Sequence, residues 1–186
     1  MQPAAEETRA VVVCDRDGNP LGRLGVLEAH QAGGVLHRAF SAFVFRHEGA
    51  ELLLQQRSAH KRLFASRWAN TCCSHPWPAE ADVIETAERR LHEEFGFSLA
   101  LRVAGSFVYR ATDPASQLTE YEHDTVLVGS TGDVLTVQPD PNEIAAWRWV
   151  PVAALEQALR DDADRYAPWL PAALPLAVAA LRGDRG

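Results

Sequence analysis

The chain has 186 residues, of which 47% are hydrophobic and 23% charged, and it carries a formal net charge of −7. That length suits one well-buried domain, read as spanning 1–186 with frayed ends at 1–8 and 183–186. The acidic balance argues against a nucleic-acid partner, which would need a basic face for phosphate contacts, and no apolar run is long enough to span a membrane.

Along the chain, "AVVVCDRDGNPLGRLGV" reads as two strands around a turn at Asp17-Gly18-Asn19-Pro20, because β-branched and apolar residues flank strong turn formers. Cys14 sits on the first strand and reads as a packed, inert thiol. "HRAFSAFVFRHEGAELLLQQR" gives a second strand pair about Glu48-Gly49, with His37 opening its first strand and His47 and His60 falling in turn or loop. The start "MQPAAEETRA" lacks the basic head and apolar core of an export signal, so a cytoplasmic location is expected, with thiols in preference to disulfides. All but one of the 18 Lys and Arg residues are arginine, which singles out Lys61.

A helix is expected within "EADVIETAERRLHEEFGF". Asp82 and Glu85 have capping-box spacing, Ile84, Ala87, Leu91 and Phe95 recur on one face, and Gly96 can end it. Further strands are expected at "LRVAGSFVYRA", "EHDTVLVGS" and "IAAWRWVPV", then helices around 151–161 and 168–182, the second interrupted by Pro171 and Pro175. Strands, helix, strands, helices is the order of an α+β or α/β sandwich.

The chemistry-bearing types gather in three places. In "NTCCSHP", Cys73 and His75 alternate with Ser74 and so share one side of an extended segment. In "TEYEHD", Glu120 and Glu122 share a side as well, and two adjacent carboxylates repel unless a cation stands between them. His30, His37 and His75 would complete a nitrogen and oxygen ligand set for a divalent transition metal. On the helix, Arg90 and Glu94 are four apart; "ERRLHEE" reads as a solvated face of Glu/Arg pairs or as the end of a Nudix box holding Mg²⁺ against a diphosphate. Against a generic Nudix hydrolase, Ser74 stands at the expected glycine and Glu80 is one residue out of register.

Several segments in one order, "LHRAFSAFVF", "LLLQQRS", "NTCCSHP", "RRLHEEFG", "EYEHD", "DPNEI" and "APWL", resemble type I isopentenyl diphosphate isomerases from about Val11 to the C-terminal helix. The resemblance implies a Nudix-like α/β/α sandwich with a mixed sheet, of class α+β. It implies an isomerase that interconverts isopentenyl and dimethylallyl diphosphate through a tertiary carbocation. By it, Cys73 matches the thiol acid/base and Cys72 a less essential neighbour. His30, His37, His75, Glu120 and Glu122 match a metal site for Zn²⁺ or Mn²⁺, with Mg²⁺ the third choice at nitrogen donors. Glu94 and the Cys73 carbonyl match the ligands of a Mg²⁺ on the substrate diphosphate. Arg57, Lys61 and Arg90 match diphosphate-binding positions, Tyr109 a tyrosine that assists proton delivery, and Trp169 an aromatic that faces the cation. The implied partner is a small prenyl diphosphate, and a monomer is the default.

The chain departs from the resemblance at Val26, where a diphosphate-binding lysine is common, and at "ASR" after Phe64, where Pro-Gly is. It departs also at the one-residue-longer "TDPASQLTEYE" and at Trp77. Those departures keep open a relative that protonates a longer prenyl diphosphate, as an isomerase or a cyclase, and, behind it, a Nudix diphosphohydrolase.

Overall fold

The computed structural model describes residues 10–76, 82–132 and 134–183. The readings of Trp77, Glu80 and the terminal segments 1–8 and 184–186 lie outside them, whereas Gly183 closes the last helix.

The elements are β1 (Ala10–Cys14), β2 (Pro20–Gly25), α1 (Val26–His30), β3 (His37–Arg46), β4 (Glu51–Arg57), β5 (Trp68–Ala69), β6 (Cys72–Ser74), α2 (Val83–Phe95), β7 (Arg102–Thr112), β8 (Thr119–Ser130), β9 (Ile144–Pro151), α3 (Val152–Asp161), a 3₁₀ turn (Ala163–Arg165) and α4 (Leu170–Gly183). The strands form one mixed sheet, in which β3 runs parallel to β8 and antiparallel to β1, β4 and β6. The expected α+β class with a mixed sheet is the one observed.

Strand periodicity sorts the core into two layers. Phe40, Ala42 and Val44 of β3 face α2 and pack with Ala87, Leu91 and Phe95. Phe43 and Phe45 face the other way and pack with Leu155 of α3 and Leu170, Ala173, Leu174 and Ala177 of α4. A strand buried on both faces reads as a near-continuous apolar run, as β3 does. α2 starts where the Asp82 side chain accepts from the Ile84 N–H, and ends at Gly96 with φ 76°.

Several elements differ from expectation, α4 and α1 among them. α4 is continuous: Pro171 lies in its first turn, where a missing N–H costs nothing, and Pro175 is accommodated within the helix. α1 was not expected, because five residues are too few to show helical periodicity.

Candidate active site

A cavity of about 170 Å³ opens beside β3, and Cys73, His75, Arg57, Lys61, Arg90, Tyr109, Glu120, Glu122, His30 and Trp169 all line it. The register explains the convergence. β6 and β8 both pair with β3, setting Cys73 opposite Ser41 and Glu122 opposite His37, while β7 sets Tyr109 opposite Glu122.

The two cysteines part company at β6. Cys72 is fully buried in the layer under α2, whereas Cys73 is half-buried and belongs to the cluster around Trp169. Burial pushes the Cys73 thiol up to about 12 although Arg57 opposes the shift. Arg57 itself is buried; it donates to Cys73 Sγ at 3.3 Å and to the Leu63 carbonyl at 2.9 Å, and its guanidinium carbon lies 5.3 Å from the centre of the Trp169 ring.

His30, His37, His75 and Glu122 bring one ligand atom each within 4.8 Å of one another. His30 ends α1 and His37 begins β3, and the loop between them turns through left-handed Ala32, Gly33 and Gly34 (φ 49°, 89° and 80°). Conformations of that kind suit glycine, and a Cβ on Gly34 would stand 3.0 Å from the Thr119 carbonyl. His30 Nδ1 donates to the Val26 carbonyl at 2.5 Å and His37 Nδ1 to the Val35 carbonyl at 2.7 Å. A carbonyl can only accept, so each Nδ1 carries the proton and each Nε2 offers a lone pair, as metal-ligating histidines do. Among the described residues, buried His37 Nε2 has no hydrogen-bond partner, with Glu122 Oε1 3.5 Å away, and Glu122 Oε1 meets His75 Nε2 at 2.9 Å. An orphaned buried nitrogen among imidazoles and a carboxylate fits a divalent metal. Burial, aided by the neighbouring His75, pushes His30 down to about 4, which keeps its ring neutral and available.

Glu120 stands outside that four-atom group. Its carboxyl accepts from the Tyr109 hydroxyl at 2.5 Å, and the same hydroxyl lies 2.5 Å from Glu122. Burial and the Glu122 charge lift Glu120 to about 8, while His37 and His75 outweigh burial and hold Glu122 well below the usual carboxylate range. The two carboxyls are thus driven in opposite directions, Glu120 up and Glu122 down, with the Tyr109 hydroxyl between them.

On α2, Arg90 donates to Glu93 at 2.7 Å, to Glu94 at 2.5 Å and to Glu143 at 3.2 Å, and Lys61 pairs with the same Glu143. Trp169 is 2% exposed, its Nε1–H donating to Asn70 Oδ1 at 2.8 Å. Phe64 meets the Trp169 ring edge-on at 5.9 Å. Of the site residues expected from the sequence, His30, Arg57, Lys61, Cys73, His75, Arg90, Tyr109, Glu120, Glu122 and Trp169 line one cavity, and His37 and Glu94 contact residues that do. Asn70 and Glu143 were missed, although both lie inside quoted segments: Asn70 also donates to the carbonyls of Ala42 and Cys72, pinning β6 to β3. An uncharged amide and a lone glutamate before a strand look like loop residues until their partners, far away in sequence, are known.

Comparison with known proteins agrees with the geometry. The NUDIX domain model matches residues 35–173. The chain is 44% identical over 159 residues to an isopentenyl-diphosphate Delta-isomerase of Halorhodospira halophila, covering 86% of this chain and 89% of that one. It is 44% identical over 176 residues to an isopentenyl-diphosphate Delta-isomerase of Nocardia farcinica, covering 95% and 98%. Among solved structures, the Deinococcus radiodurans protein DR0079 superposes with a TM-score of 0.68 at 18% identity, over 90% of this chain and 98% of that one, a likeness of fold alone.

Proposed function

The chain belongs to the NUDIX domain family and, within it, to the isopentenyl-diphosphate Delta-isomerases, and from that premise we propose which of its residues move the two protons. The reaction transposes a C=C bond between isopentenyl and dimethylallyl diphosphate, so one proton must be added to an unactivated alkene and a different one removed from the resulting tertiary cation. Two proton-handling groups must flank the same carbon chain.

Glu122, with Tyr109, serves as the acid on one side of β3, and Cys73 as the base on the other; the roles exchange in the reverse direction. The observation that carries this reading is the Tyr109 hydroxyl held 2.5 Å from both Glu120 and Glu122, beside the cavity that all three and Cys73 line. Tyr109, within reach of both carboxyls, relays the proton to Glu122. To take the other proton Cys73 must stand as the thiolate, the form that burial disfavours and that Arg57, 3.3 Å from its Sγ, favours; as the thiol it is the acid of the reverse direction. Trp169, Phe64 and Leu63 exclude water that would trap the cation as an alcohol, and the Trp169 ring offers the cation its negative face.

His30, His37, His75 and Glu122, with Glu120 beside them, would hold one transition metal, Zn²⁺ or Mn²⁺ suiting imidazole donors better than Mg²⁺. Bound there, the ion supplies the positive charge that lets two carboxyls share one buried pocket. Glu94 and the Cys73 carbonyl would hold Mg²⁺ against the diphosphate, whose charge Arg57, Lys61 and Arg90 meet. Val26 lines the cavity as an apolar wall and adds no charge to that grip.

Steady-state isomerisation of isopentenyl diphosphate tests the assignment. Cys73→Ala and Glu122→Gln are expected to lose at least about a thousandfold in kcat and Tyr109→Phe about ten- to a hundredfold, in line with general acid–base contributions. Retention of parental kcat by Cys73→Ala would refute the thiol's role. Geranyl diphosphate, supplied in parallel, is expected to go unconverted.

A further inference from the structure

Glu143 is not among the residues that line the cavity. Its carboxylate pairs with Lys61 and accepts from Arg90 at 3.2 Å, and both of those cations do line the cavity. The two cations come from different elements: Lys61 from the loop after β4, which turns through left-handed Phe64 and Ser66 (φ 51° and 63°), and Arg90 from α2. Residue 143 also ties these elements together through its backbone, since the Ser58 N–H donates to the Glu143 carbonyl at 2.9 Å. The segment before it is moored to the end of α2, the Asp140 N–H donating to the Glu94 carbonyl at 2.9 Å.

We propose that Glu143 is a positioning residue for substrate binding, a carboxylate set behind Lys61 and Arg90 that holds both cations toward the cavity, ready for the diphosphate. The proposal rests on reading those cations as diphosphate ligands. Lys61, Arg90 and Arg57 line one wall, and three like charges repel one another there. The Glu143 charge offsets that repulsion from the side away from the substrate. Arg90 is further restrained by Glu93 and Glu94, so the freedom regained on losing Glu143 falls chiefly on Lys61, the long, flexible side chain with fewest restraints. A lysine released to solvent must be reordered each time substrate binds, and freezing one such side chain corresponds to about a tenfold change in binding constant.

The test compares the parent with Glu143→Gln, Glu143→Asp, Lys61→Met and the Lys61→Met/Glu143→Gln double variant. KM and kcat for isopentenyl diphosphate and the Kd of inorganic diphosphate in Mg²⁺ are measured for each, with thermal unfolding as a check that all are folded. Glu143→Gln is expected to raise both KM and the diphosphate Kd about tenfold with a much smaller change in kcat, and Glu143→Asp to recover part of the loss. The double variant is expected to bind no worse than Lys61→Met alone, because Glu143 acts through Lys61. Unchanged or tighter diphosphate binding in Glu143→Gln overturns the proposal, as does full additivity in the double variant. If Lys61→Met leaves KM and Kd unchanged, the assignment of Lys61 to the diphosphate fails, and this inference fails with it.

Discussion

At the scale of single residues, the site depends on buried polar groups whose partners lie far away in sequence. Asn70 uses its amide three times, toward Ala42, Cys72 and Trp169. Asn70→Ala would strand two strand carbonyls and the indole N–H, so a loss of about 2–3 kcal/mol is expected in a urea titration, together with lower activity as Trp169 loosens. The thiols give a second check. Cys14 and Cys72 are buried and Cys73 is half-buried, so an alkylating reagent is expected to label one cysteine per native chain, at Cys73, and three in denaturant. Labelling at Cys73 is expected to be slow near neutral pH, because burial disfavours its thiolate. Native labelling of Cys72 would contradict its place under α2.

Elements bring those residues to one spot, and α2 does so for Arg90 and Glu94. The Asp82 cap accepts from Ile84 N–H at 2.7 Å, and Asp82→Ala is expected to cost about 1 kcal/mol. Gly96 ends the helix in a left-handed conformation, and a Cβ there would come within 2.9 Å of Gln138. Gly96→Ala is therefore expected to destabilise by at least about 1 kcal/mol and to disturb the segment leading to Glu143, seen as a raised KM. The long strands and α2 were legible in the sequence, since Phe40 to Phe45 and Ile84 to Phe95 announce their periods. α1, β5 and β6 are too short to show one. α4 tolerates Pro175 because the apolar layer beneath it, Leu170, Ala173, Leu174 and Ala177, outweighs one lost backbone hydrogen bond, a tertiary effect that local propensity does not show.

For the whole molecule, the four residues that could hold a metal come from separate parts of the fold: α1 for His30, β3 for His37, the segment after β6 for His75 and β8 for Glu122. An ion held by all four would bind the folded chain and not the unfolded one. Zn²⁺ added to chelator-treated protein at roughly a hundred times its Kd is expected to raise the unfolding temperature by about 5–10 °C, and His37→Ala to abolish the rise. The ligand types were readable because Glu120-x-Glu122 and Cys73-x-His75 alternate as strand residues do. What the sequence left hidden is which carboxyl joins the histidines and which pairs only with Tyr109; strand register and the His37 and His75 contacts decide that. The Glu143 link was hidden for a similar reason, joining a loop, a helix and a strand start that are far apart in the chain.

The most direct measurement follows the protons. Reduced protein is incubated with isopentenyl diphosphate and Mg²⁺ in deuterated water, and deuterium position and double-bond position are read by NMR for the parent, Cys73→Ala and Glu122→Gln. The account predicts deuterated dimethylallyl diphosphate from the parent and neither exchange nor isomerisation from the two variants. Deuterated product from Cys73→Ala at the parental rate, or none from metal-loaded parent, would contradict it.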